Sequence, residues 1–360
     1  MTQLSLNPLI LPQTADIRRA HVVPGSYRLD GYDADYDFHT LAYDVIWMPR
    51  EKALLFICPK LLNLSRIFKE GTVSSDGTAL PRPRIKSYRR HAEVWVPCTG
   101  APASVRLVWR DIDLSTPVSQ QSSAFDGRNV LLTKSKDNPL TWLSDWAAHH
   151  VRAQGANAAL LFDNGSADYT AADAQDALGA QGEMPLARAI ASDFPFGSWK
   201  ASKYLHRSMY YQAAMLNLAR HRFLARARAV LPIDIDELIC GASAFDAAHE
   251  SRLGYVTVPG VWRYSQTEGD TAPRHADHIW RRTPDAVSKE KYCVAPNRLF
   301  TRAPWDIHGL HRYAFNARVQ MQDARMLHCE HISTGWKRKR DAERGHSLVQ
   351  DPQTVRDIKL

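Results

Sequence analysis

The sequence predicts an α/β fold in which a small β-rich domain precedes a larger domain with a mostly parallel sheet. Residues 1 to about 120 contain only short runs of β-branched and aromatic residues, whereas strand-like and helix-like segments alternate from there onward. Strands separated by helices are typical of parallel sheets, because a parallel pair needs a long crossover connection. The polar stretch 115–124 lies between the two parts and is the predicted linker.

The first domain is predicted from four short segments that Pro, Gly, Asp and Ser separate. These segments are Leu41–Trp47, Ala53–Ile57, Ala92–Val96 and Ser104–Trp109. They indicate a small sheet or a sandwich, and they contain no obvious catalytic cluster. The predicted division of the chain is therefore a β-rich accessory domain at 1–120, a second domain at 121–345 and a C-terminal tail at 346–360.

The second domain begins with a short buried strand at 129–133 and a helix from Pro139 to about Gln154. Pro suits the first turn of a helix, and Asn138 before it is a suitable cap. The later predicted elements are the strand Ala158–Phe162, a strand near Ala187–Ser192, a helix from about Lys200 to Arg222 and an apolar run from Arg228. In such a sheet, ligands bind beyond the carboxyl ends of the strands.

Charge and hydropathy limit the classes of partner. The 360 residues have a formal net charge of +8, which suggests anionic partners such as nucleotide phosphates, anionic lipid or an acidic glycan. No helix-turn-helix, zinc-finger or aromatic-rich RNA-binding signature is present, so nucleic acid is not expected. No run of 18 apolar residues occurs, which excludes a membrane-spanning helix.

The N-terminus and the cysteines indicate the compartment. Residues 1–13 lack the basic flank of a secretory signal. The five cysteines are scattered without a C-x-x-C spacing, so neither a zinc site nor a disulfide framework is indicated. A reducing cytoplasm is therefore the expected location.

The clearest chemical signal is a pair of carboxylates, Asp234 and Asp236, at the end of an apolar run. Alternate strand residues share a face, so both side chains can point at one spot just past a buried strand. Hard oxygen ligands of this kind suit Mg²⁺ or Mn²⁺ that also binds the phosphates of a substrate. A second pair with the same spacing, Asp111 and Asp113, lacks an α/β context, and we interpret it as a solvated strand end.

A polar turn, Asp163-Asn-Gly-Ser-Ala-Asp168, follows the predicted strand 158–162. The side chains of Asp163 and Asn164 are placed to hydrogen-bond a nucleobase or a ribose. The alternative is an ordinary Asx turn that caps the next helix. The acidic pair at a second strand end, later in the chain, favours the nucleotide interpretation.

From about Asn129 to Trp336 the chain resembles a GT-A fold glycosyltransferase, most similar to the family 92 type and to bacterial relatives related to family 2. The matching segments are Trp142–His150, Leu161–Asp168, Gln212–Asn217, Asp234–Leu238, Lys291–Pro296, His308 and Leu327–His328. The resemblance implies a Rossmann-like catalytic domain with a mostly parallel sheet. It also implies a metal-dependent hexosyltransferase that moves a sugar, with inversion, from a nucleotide-diphosphate donor, expected to be a UDP-sugar, to a glycan.

Three segments depart from the family pattern. Leu238 replaces the usual aromatic after the acidic motif, and Lys136–Asn138 replaces an Asn-Glu at the start of the domain. The segment Tyr264–Asp270 differs from a Gly/Ser-rich stretch, which leaves the acceptor unidentified.

The resemblance implies specific roles for the acidic motif. Asp236 would coordinate Mn²⁺ or Mg²⁺ directly, and Asp234 would bind the metal, a metal-bound water or the ribose of the donor. His328 is the implied third metal ligand. Glu330, His331 or His308 could serve in place of His328.

Further donor-binding and catalytic roles follow from the same resemblance. Asp163, Asn164 and Asp168 would contact the nucleoside, and Lys291 the diphosphate. Other candidate cations for the diphosphate are Arg298, Lys337 and Arg338.

An inverting transfer needs a carboxylate base for the acceptor hydroxyl, and Glu268 or Asp270 is the candidate. Trp262 and Tyr264 nearby either stack on an acceptor sugar or pack in the core.

The expected partners are a nucleotide sugar and a glycan or lipid-linked glycan acceptor, with peripheral contact to the inner face of an anionic membrane. Two further functions would use the same residues. A metal-dependent phosphoester hydrolase would need more convergent metal ligands than this set offers. A non-catalytic protein that binds glycan or nucleotide would not need the intact Asp-x-Asp.

Overall fold

The computed structural model describes residues 4–179, 182–204, 206–266, 272–296, 298, 300–311, 316–332 and 347–360. The helices in these ranges are α1 (Ser65–Glu70), α2 (Leu140–Gln154), α3 (Ala171–Gly179), α4 (Tyr211–Arg222), α5 (Ala244–Glu250) and α6 (Pro352–Asp357). The strands of the first part of the chain are β1 (Leu9–Ile10), β2 (Thr40–Ala42), β3 (Asp44–Met48), β4 (Ala53–Pro59), β5 (Thr72–Ser75), β6 (Thr78–Ala79), β7 (Arg84–Ser87), β8 (His91–Pro97), β9 (Ser104–Trp109) and β10 (Ile112–Pro117). The later strands are β11 (Asn129–Ser135), β12 (Ala158–Asp163), β13 (Ala187–Ala191), β14 (Ala229–Pro232), β15 (Glu237–Gly241), β16 (Tyr255–Arg263), β17 (Trp280–Arg281), β18 (Val287–Val294), β19 (Trp305–Asp306), β20 (Gly309–Leu310), β21 (Ala324–Cys329) and β22 (Val349–Gln350).

The chain forms two compact units. The first unit contains residues 1–123 and 193–223, and the second contains 124–192 and 224–360. The predicted division differs from this arrangement in two places. It assigned 193–223 to the second domain, and it separated the C-terminal residues as a tail.

Helix α4 belongs to the first unit because two of its arginines form buried ion pairs there. Arg220 contacts Glu93 at 3.0 Å, and Arg222 contacts Asp44 at 2.7 Å. Glu93 and Asp44 are distant in sequence from α4, so no local sequence pattern predicts these ion pairs. The Gln212–Asn217 segment, which carries part of the family resemblance, therefore lies in the first unit.

The first unit confirms the predicted β-rich character. It contains two four-stranded antiparallel sheets, with the orders β3-β4-β8-β7 and β10-β9-β5-β6. The predicted strand Leu41–Trp47 is interrupted and forms β2 and β3. The predicted helix from Lys200 begins only at Tyr211. A helix through Tyr204 is excluded by its left-handed backbone with φ of 62°, which an α-helix does not accommodate.

Four strands of the second unit form the parallel half of an eight-stranded sheet. Their order is β13-β12-β11-β14, and all three neighbouring pairs are parallel. Helix α2 connects β11 to β12, and α3 connects β12 to β13. In chain order the sheet reads third, second, first and fourth strand, which is the start of a Rossmann-like sheet. The predicted α/β class with a Rossmann-like, mostly parallel sheet is confirmed.

The other half of this sheet is mixed. It continues from β14 through β18, β16 and β21 to β15. The β16–β21 pair is parallel, whereas β14–β18, β16–β18 and β15–β21 are antiparallel. Four of the seven neighbouring pairs in the described sheet are therefore parallel. This mixed half supplies several residues of the site described below.

The outer edge of β15 is covered by two histidines of α2. His149 Nε2 donates to the carbonyl of Ile239 at 2.8 Å, and the Ile239 N–H donates to His150 Nε2 at 3.2 Å. Burial lowers the pKa of His149 to about 4 and lowers the pKa of His150 well below its ordinary value. Both rings are therefore neutral at pH 7, and they satisfy backbone groups of an edge strand that would otherwise be open to pairing.

The C-terminal residues 347–360 are part of the second unit. Strand β22 pairs with β17. The buried Arg263 guanidinium donates to Asp351 at 2.8 Å and to the Thr354 hydroxyl at 2.8 Å, which fixes the first turn of α6. The predicted tail is thus a packed element, held by charged contacts that hydrophobic patterning does not reveal.

The sequence predicted no disulfide framework and no membrane-spanning helix. All five cysteines are buried and free. None of the helices in the described ranges is long and apolar enough to cross a bilayer.

Candidate functional site

The acidic motif lies in a short connection between β14 and β15, at the carboxyl end of the parallel strands. Three successive carbonyl groups of this connection are hydrogen-bonded. The Trp146 indole donates to the Asp234 carbonyl at 3.0 Å, and His275 Nε2 donates to the Ile235 carbonyl at 2.8 Å. The Cys329 N–H donates to the Asp236 carbonyl at 2.7 Å. The backbone that carries the two carboxylates is therefore fixed from three sides.

Asp234 is shared between two lysines. Its Oδ1 accepts a hydrogen bond from Lys134 Nζ, and its Oδ2 accepts one from Lys291 Nζ at 2.6 Å. The backbone N–H of Asp234 also donates to Glu237 Oε2 at 2.9 Å. The sequence predicted that the side chains of Asp234 and Asp236 point at one spot. In the structure they have different partners, because Asp234 contacts two lysines and Asp236 contacts a histidine.

Asp236, Glu237 and His328 form the second part of the site. One donor atom from each of these side chains lies within 4.8 Å of the others. His328 Nε2 is 3.1 Å from Asp236 Oδ2, and His328 Nδ1 is 3.9 Å from Glu237 Oε1. Two carboxylates and one imidazole are a donor set that suits Mn²⁺ or Mg²⁺.

The strand register explains why Glu237 and His328 meet, and Asp236 directly precedes Glu237. On one side His328 in β21 is paired with Glu237 in β15, and on the other side with Trp262 in β16. Residues directly opposite each other on neighbouring strands point to the same face of a sheet. Trp262 and His328 stack with ring centroids 3.8 Å apart and an interplanar angle of 22°. The stack and the carboxylates hold the imidazole in place.

Lys291 links the two parts of the site. Its Nζ lies 3.0 Å from Glu237 Oε2 in addition to its contact with Asp234. Burial acts to lower the pKa of Lys291, but the carboxylates of Asp234 and Glu237 outweigh it and hold that pKa above its ordinary value. Burial raises the pKa of Glu237, although Lys291 opposes that effect. Three carboxylates face two lysines here, which leaves one negative charge when all are ionised.

The polar turn after β12 has its side chains engaged locally. Asp163 Oδ1 accepts a hydrogen bond from the Ser166 hydroxyl at 2.5 Å, which is the contact of an ordinary Asx-type turn. Asn164 Nδ2 donates to the Ser192 carbonyl at 2.9 Å. Burial raises the pKa of Asp163. Asp168 is exposed, and the nucleoside-binding role of these residues stays a prediction.

The three residues that could replace His328 as the metal ligand are not members of the described group whose donor atoms lie within 4.8 Å of one another, although the charges of Lys291 and Asp234 both influence the pKa of His308. His331 contacts Glu330 at 3.6 Å. The backbone of Glu330 is used structurally, since its carbonyl accepts from His278 Nε2 at 2.5 Å. His308 Nδ1 donates to the Glu290 carbonyl at 3.1 Å.

Several predicted residues are not part of the described site. Arg298 donates to the His249 carbonyl at 2.9 Å and follows the end of β18 that pairs with Val230, away from Lys291. Tyr264 is buried, with the Arg282 guanidinium 5.0 Å from its ring centre. The predicted residues that lie outside the described ranges are Glu268, Asp270, Lys337 and Arg338.

Lys134 was not among the predicted site residues, and Glu237 was not among the predicted metal ligands. Strands β11 and β14 pair in parallel from Asn129 opposite Ala229 to Leu132 opposite Pro232. Continuing that register by two residues brings Lys134 opposite Asp234. The position of Lys134 opposite Asp234 can therefore be predicted from the sequence only when the pairing of β11 with β14 is known.

Similarity to known proteins is low along the whole chain. No family model matches it, and no curated protein matches it. Two solved structures of the galactosyltransferase LgtC, one with donor and acceptor sugar analogues and one of an active-site mutant, are similar at 18% identity and a TM-score of 0.27. Each match covers 49% of this chain and 60% of the LgtC chain. Similarity at this level assigns neither a fold family nor an activity to this chain.

Proposed function

We propose that the second unit is a GT-A type glycosyltransferase, similar to family 92, that uses a nucleotide-diphosphate sugar, expected to be a UDP-sugar. One observation carries the proposal. At the carboxyl end of a Rossmann-like sheet, where such folds bind nucleotides, three carboxylates, one histidine and a buried lysine are joined by successive contacts of 2.6, 3.0, 3.1 and 3.9 Å. The family resemblance of the acidic motif supports the same conclusion.

The donor set fits a divalent cation. Asp236, Glu237 and His328 would hold Mn²⁺ or Mg²⁺, and Asp234 remains a further candidate ligand. The buried Glu237 carboxylate has a raised pKa, so a cation in place of a proton would satisfy it. When bound, such a cation neutralises the diphosphate leaving group.

The residues of this chain would act on the donor as follows. Lys291, held protonated by its carboxylate partners, would donate to a phosphate oxygen and stabilise the negative charge that develops on the nucleoside diphosphate. The fixed turn at Asp163 and Asn164 would border the nucleoside. Glu268 or Asp270 would accept the proton of the acceptor hydroxyl. The acceptor oxygen would then attack the anomeric carbon while the bond from that carbon to the diphosphate breaks, and this single displacement gives inversion.

The acceptor in this proposal is a glycan or a lipid-linked glycan, as in the synthesis of a surface polysaccharide. The expected location is the cytoplasm, at the inner face of the membrane. The net charge of +8 supports peripheral contact with anionic lipid.

The experiment is a panel of nucleotide sugars with Mn²⁺, in which nucleotide release is measured with and without glycan acceptors. We expect one donor to be consumed, with faster release when an acceptor is present and none in EDTA. Hydrolysis of simple phosphoesters instead would favour a phosphoester hydrolase. Binding of UDP with Mn²⁺ but no release would favour a non-catalytic binding protein. The absence of both release and binding would refute the proposal.

A further inference from the structure

The contact between Asp234 and two lysines has a consequence for how the donor is bound. Lys134 is 8% exposed and Lys291 is 2% exposed, and they contact different oxygens of the same carboxylate. Burying an ammonium group is costly unless an anion compensates it. In the described structure Asp234 supplies that anion to both lysines, and Glu237 supplies a second one to Lys291 only.

The position of Lys134 is fixed by the sheet. It follows Leu132 in β11, the strand beside β14, and its side chain lies at the carboxyl edge where Asp234 begins the acidic motif. Lys291 reaches the same carboxylate from β18, on the other side of β14. Two ammonium groups from the neighbouring strands therefore flank one anionic position.

A lysine is a compact, mobile point charge that suits phosphate oxygens. An anion with several oxygens can satisfy both ammonium groups at once, as the Asp234 carboxylate does in this structure. If Asp234 turned towards a metal or a ribose, Lys134 would lose the anion that compensates its burial. A diphosphate at the same place would supply a replacement.

We infer that Lys134 and Lys291 together form the diphosphate-binding site of this protein, and that Asp234 occupies that site as an internal anion when no donor is bound. This inference rests on the proposed function for the identity of the donor, but not for the anion site itself. It adds Lys134 to the binding residues. It also means that Asp234 weakens diphosphate binding, because its carboxylate competes with the incoming diphosphate for the two lysines.

The test is calorimetric titration of the full chain with inorganic pyrophosphate in EDTA, and separately with UDP and Mn²⁺. We expect Lys134→Met to weaken pyrophosphate binding about tenfold, the loss of one charged hydrogen bond. Lys134→Arg should retain most of the affinity. Asp234→Asn should tighten pyrophosphate binding severalfold, because the competing carboxylate is gone. Lys289→Met, the same charge change at an exposed position of β18, serves as the control and should change affinity less than twofold.

Opposite outcomes overturn the inference. Absence of pyrophosphate binding to the wild type, weaker or unchanged binding by Asp234→Asn, or wild-type binding by Lys134→Met would each refute it. Circular dichroism shows which variants fold, and Asp234→Asn and Lys134→Arg decide the matter if Lys134→Met does not fold. Sugar transfer combined with UDP binding that is insensitive to Lys134 would refute this inference alone. Pyrophosphate binding as expected, with no nucleotide-sugar turnover, would refute the proposed function alone.

Discussion

Two pairs of aspartates in this chain have the same spacing and opposite surroundings. Asp111 and Asp113, in the first unit, are both exposed where β9 turns into β10, and Asp113 forms an ion pair with the exposed Arg106. Asp234 and Asp236, in the second unit, are half-buried and contact Lys134, Lys291 and His328. The two motifs differ in what the fold brings to them from distant parts of the chain.

The difference shows how a carboxylate pair becomes a site. A hairpin offers its aspartates only the neighbouring strand, and Arg106 comes from that strand. A strand end inside a wide sheet offers partners from several strands, and here they come from β11, β18 and β21. The side chains of Lys134 and Lys291 are buried, so their charges are less screened by water than those of the hairpin pair.

The two aspartate pairs are expected to differ most in how much the loss of a cationic partner lowers the free energy of unfolding. Lys291→Met leaves the buried Glu237 carboxylate without its cation and leaves Asp234 with Lys134 alone, so we expect the free energy of unfolding to fall by about 3–5 kcal/mol. Arg106→Met removes only an exposed partner, and we expect no measurable change. Urea denaturation of both variants measures the difference. Equal losses would show that burial does not separate the two sites.

The next difference is expected in metal binding. Asp236→Asn removes a charged donor from the cluster with Glu237 and His328, and we expect the affinity for Mn²⁺ to fall roughly 100-fold. Asp113→Asn makes the same chemical change in the hairpin and should leave Mn²⁺ affinity unaltered. Calorimetry with Mn²⁺ alone measures both variants without any nucleotide. Wild-type affinity of Asp236→Asn would remove Asp236 from the set of metal ligands.

The parallel half of the sheet could be predicted from the sequence because its signals are local. The apolar strands near Asn129 and Ala158 and a helix start near Pro139 are each readable within a short window. The predicted cap was wrong, because Pro139 itself is the N-cap residue and the Asn138 side chain donates to the Ser135 hydroxyl. The acidic motif was placed correctly at a strand end for the same reason. The helix expected from Lys200 to Arg222 ends as predicted but begins only at Tyr211, and the predicted range included Tyr204, whose backbone is left-handed.

The partners of the acidic motif could not be predicted in the same way. Lys134 is 100 residues from Asp234 and His328 is 92 residues from Asp236. Their meeting depends on strand order and register, which residue spacing does not encode. The resemblance to a known family supplied His328, whereas Lys134 became visible only when the pairing of β11 with β14 was known.

The smallest difference concerns two tryptophan–histidine contacts. Trp262 stacks on His328 at 3.8 Å, whereas Trp95 meets His221 edge-on at 5.7 Å in the first unit. Stacking fixes the plane of the His328 ring, so Trp262→Leu should weaken Mn²⁺ binding about tenfold, the effect of losing a group that orients a ligand. Trp262→Phe keeps an aromatic face and should restore most of the affinity, and Trp95→Leu should not change it. If Trp262→Leu binds Mn²⁺ like the wild type, the carboxylates alone orient His328, and the stack serves only the packing of the sheet.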